Sequence, residues 1–240
     1  MKSIASLLSI IALGFGLVGC PGSGGGGGGA GTASGSFTRV ALVPNRADDT
    51  VSVFLVDDAN GRLRPRGYVV AGTTPRAVAV HPSGKFFYTI NNGSSDVSAH
   101  ALSSTGLATA VTGSPFLLTG ATGPTAVAVS PDGQFLFVAT NGTPSHVSVF
   151  PIDQISGALL PPIFGSPFTL GSAVGPTAIA VHPSGNLLFV TSNNGSPGTL
   201  SVFIIQSTGS LNQVGSPFLV GLDPQAVVLN TAGTVVYAAN

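Results

Sequence analysis

The sequence contains no glutamate and no tryptophan, a single cysteine, and charged side chains at only 7% of its 240 positions, against about 25% in an ordinary soluble domain. Helix surfaces draw on Glu, Lys, Gln and Arg, so this composition excludes a helical bundle. Eight Lys and Arg balance eight Asp, but no basic residue follows Lys85. The last two thirds of the chain therefore cannot neutralise a phosphate backbone, which excludes nucleic acid as a partner. Past the N-terminus no apolar run approaches the roughly 18 to 20 residues that span a bilayer. The positive mean hydropathy of +0.49 is that of buried strands. What is abundant is 34 Gly, 18 Pro and many Val, Phe, Thr and Ser, residues of strands and tight turns.

The N-terminus reads as an address. Lys2 precedes an apolar stretch from Ile4 to Val18, followed by Leu17-Val18-Gly19-Cys20, the layout of a secretory signal with small residues at the cut. It resembles the bacterial lipobox, which implies cleavage before Cys20 and lipid attachment to it. The competing readings are a buried or unpaired thiol and an uncleaved anchor helix, for which the apolar core is short. Residues 21–36 are nearly all Gly, Ser, Ala and Thr and read as a flexible tether. A phosphate-cradling loop would need a strand before the glycines and a helix with Lys after them, and neither pattern is present. By the same resemblance, Pro21 and Gly22 lack the Asp that retains lipoproteins at the inner membrane, which implies the outer membrane or cell surface.

Self-similarity dominates the rest. PRAVAVHPSGKFFYTIN from Pro75, PTAVAVSPDGQFLFVATN from Pro124, PTAIAVHPSGNLLFVTSN from Pro176 and PQAVVLNTAGTVVYAAN from Pro224 start 49, 52 and 48 residues apart. A second block, VSVFLVDDANGRL from Val51, VSAHALSSTGL from Val97, VSVFPIDQISGAL from Val147 and LSVFIIQSTGSL from Leu200, keeps step with the first. A third, GSPF, recurs at Gly113, Gly165 and Gly215. Short apolar runs between Gly, Pro, Asn and Asp clusters are hairpin-connected strands. Four antiparallel strands in about 50 residues make a propeller blade. The fold read from the sequence is all-β, a β-propeller of four-stranded antiparallel blades with about four repeats. Residues 1–20 form the signal, 21–36 the tether and 37–240 the repeats, with blade units near 37–72, 73–120, 121–172 and 173–222 and a partial unit at 223–240.

The pattern P-x-A-V-A-V-x-P-x-G-x-F-L-F-V-x-N, followed by V-S-V-F-x-I-D-x-x-x-G-x-L, resembles the lactonase-type and YVTN-type propeller repeats of bacteria, the superfamily of the propeller 6-phosphogluconolactonase. The resemblance covers residues 37–240 and implies seven blades, of which the sequence supplies about four. A truncated chain, a genuinely small ring and closure by an oligomer are the three explanations open at this stage, with truncation favoured. The motif consists of strand and turn residues, so it specifies fold and leaves function open.

Chemistry is sparse. His81 and His182 share one repeat position that Ser130 and Asn230 fill elsewhere, which marks hydrogen-bonding turn residues rather than a metal pair. His100 replaces the Phe of V-S-V-F and reads as packed; His146 opens a strand. A zinc site wants three or four close ligands, so no metal and no cofactor is expected. No G-x-S-x-G elbow occurs. Asp57 and Asp153 match in the repeat and read as turn formers. The anion-binding candidates are Arg39, Arg46, Arg62, Arg64, Arg66, Arg76 and Lys85; a cluster of them on one early blade would bind an anion, but the favoured reading is a solvated charged surface. Asn92, Asn141 and Asn194 fit the glycosylation acceptor pattern but occupy a turn position. The leading functional expectation is an envelope-tethered, non-catalytic module that binds a protein or glycan partner. The alternative, implied by the resemblance, is a lactone hydrolase with Arg76, His81 and His182 as the residues to test.

Overall fold

The computed structural model of the protein describes residues 39–57, 59–171, 175–193 and 197–240. The signal, Cys20, the tether and the Asn194 turn lie outside the described residues. Every regular element among those described is a β-strand, and all pairing between strands is antiparallel.

The first sheet runs β1 (Val40–Asn45), β2 (Thr50–Val56) and β3 (Leu63–Val70) in sequence order. The second comprises β4 (Pro75–Val80), β5 (Phe86–Asn91), β6 (Asp96–Leu102), β7 (Ala108–Ala110) and β8 (Phe116–Leu117). The third comprises β9 (Pro124–Val129), β10 (Phe135–Thr140), β11 (His146–Pro151) and β12 (Phe168–Thr169). The fourth comprises β13 (Pro176–Val181), β14 (Leu187–Ser192), β15 (Thr199–Ile205), β16 (Leu211–Gln213) and β17 (Phe218–Leu219). A hairpin of β18 (Ala226–Leu229) and β19 (Val236–Ala239) follows. Each repeat of the sequence has thus become one sheet. The lead strands β4, β9, β13 and β18 touch one another in succession, so they form the inner wall of a partial or open propeller.

Alternation along the strands gives the second and third sheets two buried faces each. In the second sheet Phe87 joins Leu42, Val51, Val53 and Val78 between the first and second sheets. Its neighbours Tyr88 and Ile90 join Leu136, Val138 and Phe150 between the second and third. Phe137, Val149, Leu188, Val190 and Phe203 repeat the arrangement between the third and fourth. Each such fully buried side chain contributes about 1.5–3 kcal/mol, and stacking of blades is what buries them. Ala77 and Val127 on the inner strands pack into the core between the second and third sheets.

The outermost strand differs from expectation. It is split, with β7 and β8 both paired to β6, and β16 and β17 both paired to β15. In the second sheet, and at the matching place in the third, the break falls at the GSPF motif. Its serine hydroxyl replaces a ladder carbonyl, accepting from Ala99 N–H at Ser114 Oγ (2.9 Å) and from Val149 N–H at Ser166 Oγ (3.0 Å). Pairing then resumes at Phe116 with Val97 and at Phe168 with Val147.

Candidate functional site

The turn between the first two strands of a repeat carries His81 and His182. His81 Nδ1 accepts the N–H of Ser83 at 3.1 Å, so Nε2 carries the proton and donates to the carbonyl of Gly133 in the next sheet, 3.1 Å away. His182 repeats the pattern, accepting from Ser184 N–H (3.1 Å) and donating to Gly233 O (3.1 Å). Both imidazoles therefore bridge successive blades turn to turn. Burial lowers the His81 pKa, against smaller opposing effects from the Gly133 carbonyl, Gln154 and Asp132. His100 is buried, stacked on Phe87 at 4.9 Å, and its Nε2 donates to Val70 O at 3.0 Å. Burial pushes its pKa down as well. His146 is half-buried with Nδ1 sealed from solvent.

The cations do not form one patch. Arg64 pairs with Asp57 at 2.9 Å on the exposed outer strand, and Arg66 Nε donates to Thr105 O at 3.0 Å. Lys85 lies in the β4–β5 turn. Arg76, second residue of β4, sits at the other end of that strand from His81. Five residues of extended chain separate them by roughly 16 Å, so the two do not converge on one reacting atom. The charge that acts on Arg76 is instead that of Arg46. The residue after the lead proline is Thr125 or Thr177 in the next two sheets, and each returns its hydroxyl to its own second strand, at Ala139 O and Thr191 O, both 3.3 Å. Arg76 reaches into solvent.

The positioning of this pair is local and specific. Asp49, in the β1–β2 turn with Arg46, accepts the backbone N–H of Thr74 at 2.7 Å, which fixes that turn against the start of β4. Thr74 pays for this position with a φ of +56°, a conformation that its repeat equivalents Gly123 (+60°) and Gly175 (+63°) adopt freely. Partial desolvation, followed by the charge of Arg46, lowers the Arg76 pKa. Two guanidiniums whose like charges act on one another favour an anion beside them. Arg46 was one of seven candidate cations in the sequence; the Asp49–Thr74 bond, across 25 residues, brings its turn to the start of β4.

Two other features are structural. Asp57 accepts from Ala59 N–H at 3.0 Å, and Asp153 accepts from Ile155 and Ser156 N–H at 3.1 and 2.8 Å, which lowers the pKa of both through those backbone bonds. Asn92 Nδ2 donates to Pro124 O at 3.0 Å across the blade boundary. An open pocket of about 430 Å³ is lined by Asn45, Asp48, Thr50, Ser52 and Tyr68 on the outward face of the first sheet. Its floor is the repeat position that Gly72 covers in the second sheet, through a 3.0 Å bond from Gly72 N–H to Ser98 Oγ. Among the described residues no group of three His, Cys, Asp or Glu side chains gathers as a metal site.

The fold and repeat define a β-propeller protein. The chain belongs to the family described as lactonase, 7-bladed beta-propeller, whose model matches residues 33–161. No curated protein matches the chain. Among solved structures it is similar to a candidate 6-phosphogluconolactonase from Bacteroides fragilis NCTC 9343, at 19% identity and a TM-score of 0.67, over 85% of this chain and 56% of that one. A candidate 6-phosphogluconolactonase from Bacteroides uniformis ATCC 8492 gives 19% identity and a TM-score of 0.66, over 76% and 52%. The periplasmic gluconolactonase of Pseudomonas aeruginosa gives 22% and 0.64, over 76% and 51%. The chain thus spans little more than half the length of these structures. The family match favours the lactone-hydrolase alternative over the non-catalytic module.

Proposed function

We propose that the protein is a lactone hydrolase of the envelope whose substrate is a sugar lactone, with Arg46 and Arg76 as its anion-binding groups. The observation that carries this reading is the lactonase family match over residues 33–161; the place of Arg76 on β4, with the turn that carries Arg46 bonded to the residue before that strand, supports the choice of residues. Water adds to the ring ester carbonyl and loses one proton to solvent, the tetrahedral oxyanion collapses, and the ring C–O bond breaks as its oxygen takes up a proton from solvent, giving a hydroxy acid that ionises to a carboxylate and one released proton. Guanidiniums stabilise both the oxyanion and the carboxylate. His81 and His182 do not serve this chemistry in the proposal, because both ring nitrogens of each are engaged, Nδ1 within its own turn and Nε2 across to the next blade.

The lipobox-like segment ending in Cys20 supports export and a lipid anchor, which in turn favours an unphosphorylated sugar lactone over a cytosolic sugar phosphate. Hydrolysis of gluconolactone and 6-phosphogluconolactone by the full chain is measured against the spontaneous rate, with Arg76→Ala and Arg46→Ala alongside. Turnover of gluconolactone that drops in both variants supports the reading, and rates equal to background for every lactone remove it. Incorporation of labelled palmitate that disappears in Cys20→Ser tests the anchor separately.

A further inference from the structure

One three-residue arrangement recurs where the second strand of a repeat meets the third. In the first sheet Asn45 Nδ2 donates to Thr50 Oγ1 (3.0 Å) and Ser52 Oγ (2.8 Å). In the second, Asn91 Nδ2 donates to Asp96 Oδ1 (2.6 Å) and Ser98 Oγ (2.9 Å). The pairing explains the recurrence, since Asn45 faces Thr50 and Asn91 faces Asp96 in register, with the serine two residues further along the same face. One carboxamide thus ties two side chains of the neighbouring strand.

In the fourth sheet the same three positions are Ser192, Thr199 and Ser201, with Ser192 facing Thr199. They are buried, at 0%, 7% and 0% exposure. The first residue is now serine, whose hydroxyl stops one bond short of where a carboxamide nitrogen would be. Its two partners stay in place and the link between them is gone. All three hydroxyl oxygens are sealed from solvent without a hydrogen-bond partner. A buried hydroxyl without a partner costs about 1–3 kcal/mol, and three at facing and next-but-one positions of one sheet face form an arrangement that protein interiors resolve with a bound water.

We infer that an ordered water molecule occupies the place of the missing carboxamide, held by Ser192 Oγ, Thr199 Oγ1 and Ser201 Oγ. Three partners match the number a buried water ordinarily has. The three side chains carry no charge, and a hard cation takes six to eight oxygens, usually with carboxylates among them, so the ligand is water. The third sheet offers a related case at the same register, where the residues are Thr140, His146 and Ser148 and His146 Nδ1 is sealed without a partner. The repeat therefore tolerates loss of its asparagine because a solvent molecule takes over its bonds.

The test is a high-resolution crystal structure of the full chain together with two variants. In the unaltered protein a solvent peak is expected within about 2.6–3.2 Å of at least two of the three hydroxyl oxygens. Ser192→Asn should expel that water and raise Tm by about 2–4 °C, the shift that a gain near one hydrogen bond gives in a chain of this size. Asn91→Ser should do the converse in the second sheet, with a new solvent peak between Asp96 and Ser98 and a lower Tm. A dry site in the unaltered protein overturns the inference, as does a peak that persists unchanged in Ser192→Asn. Should Ser192→Asn fail to fold, the unaltered protein and Asn91→Ser still decide.

Discussion

The imidazole of His81 and the glycine at 133 are matched to each other across a blade boundary. Nε2 lies 3.1 Å from the Gly133 carbonyl, and a Cβ on Gly133, whose φ is +75°, would lie 2.3 Å from that same nitrogen. Gly233 stands in the same relation to His182, with a Cβ at 2.1 Å from Nε2. The turn glycine of each of these blades is thus required twice, by its own backbone and by the preceding blade's histidine. Gly133→Ala should destabilise by about 2–3 kcal/mol, combining the left-handed penalty with displacement of the ring. In His81→Ser/Gly133→Ala the steric part disappears, so a double-mutant cycle by denaturant unfolding should give a combined loss smaller than the sum.

His81 also makes stability depend on pH. Its folded pKa lies below the ordinary value, mainly because burial disfavours the cation. Between that lowered value and about 6.5 the unfolded chain binds a proton that the folded chain does not. The stabilisation is present in full above about pH 6.5 and is lost as pH falls through the folded pKa. Unfolding midpoints should therefore drop as the pH is lowered below about 6.5. His81→Asn, which copies Asn230 of the last repeat, should flatten the slope and leave only the part due to buried His100.

Thr74 is a β-branched residue at a φ of +56°. A side chain costs about 1–2 kcal/mol in that conformation, against about 0.5–1 kcal/mol for the extra freedom of glycine in the unfolded chain. Thr74→Gly restores the residue that stands at Gly123 and Gly175 and retains the N–H bond to Asp49. A gain of about 0.5–1 kcal/mol is expected in urea unfolding, and a loss would show that the threonine side chain holds the Arg46 turn in some further way.

How far the sequence reveals the molecule varies with the range of the interaction. The lead proline, the Pro-Ser-Gly turn and the paired apolar runs are local signals, and the strands beginning at Pro75, Pro124 and Pro176 lie where that pattern puts them. The split outer strand was not legible because GSPF looks like an ordinary turn; only the 2.9 Å bond from Ala99 N–H to Ser114 Oγ reveals a side chain standing in for a ladder carbonyl. The histidines were legible as turn residues from their replacement by Ser130 and Asn230. Their partners were not, since Gly133 is 52 residues away and a glycine carbonyl leaves no trace in composition. The cations read as one group because they are close in sequence, whereas strand direction sends Arg76 and Lys85 to opposite ends of one hairpin.

Tyr88 and Tyr237 occupy the same repeat position and separate packing from hydrogen bonding. Tyr88 is fully buried, and its hydroxyl donates to Gly157 O in the third sheet at 3.0 Å; burial raises its pKa. Tyr237 is 56% exposed, and its hydroxyl has no hydrogen-bond partner among the described residues. Tyr88→Phe keeps the ring and leaves the Gly157 carbonyl unpaired in the interior, a loss of about 1–2 kcal/mol. Tyr237→Phe should change stability by less than about 0.5 kcal/mol. Equal losses in the two variants, measured by thermal unfolding under the same conditions, would show that Tyr237 has found an equivalent carbonyl in solution. That carbonyl would belong to a blade stacked on the β18–β19 hairpin as the third sheet is stacked on the second.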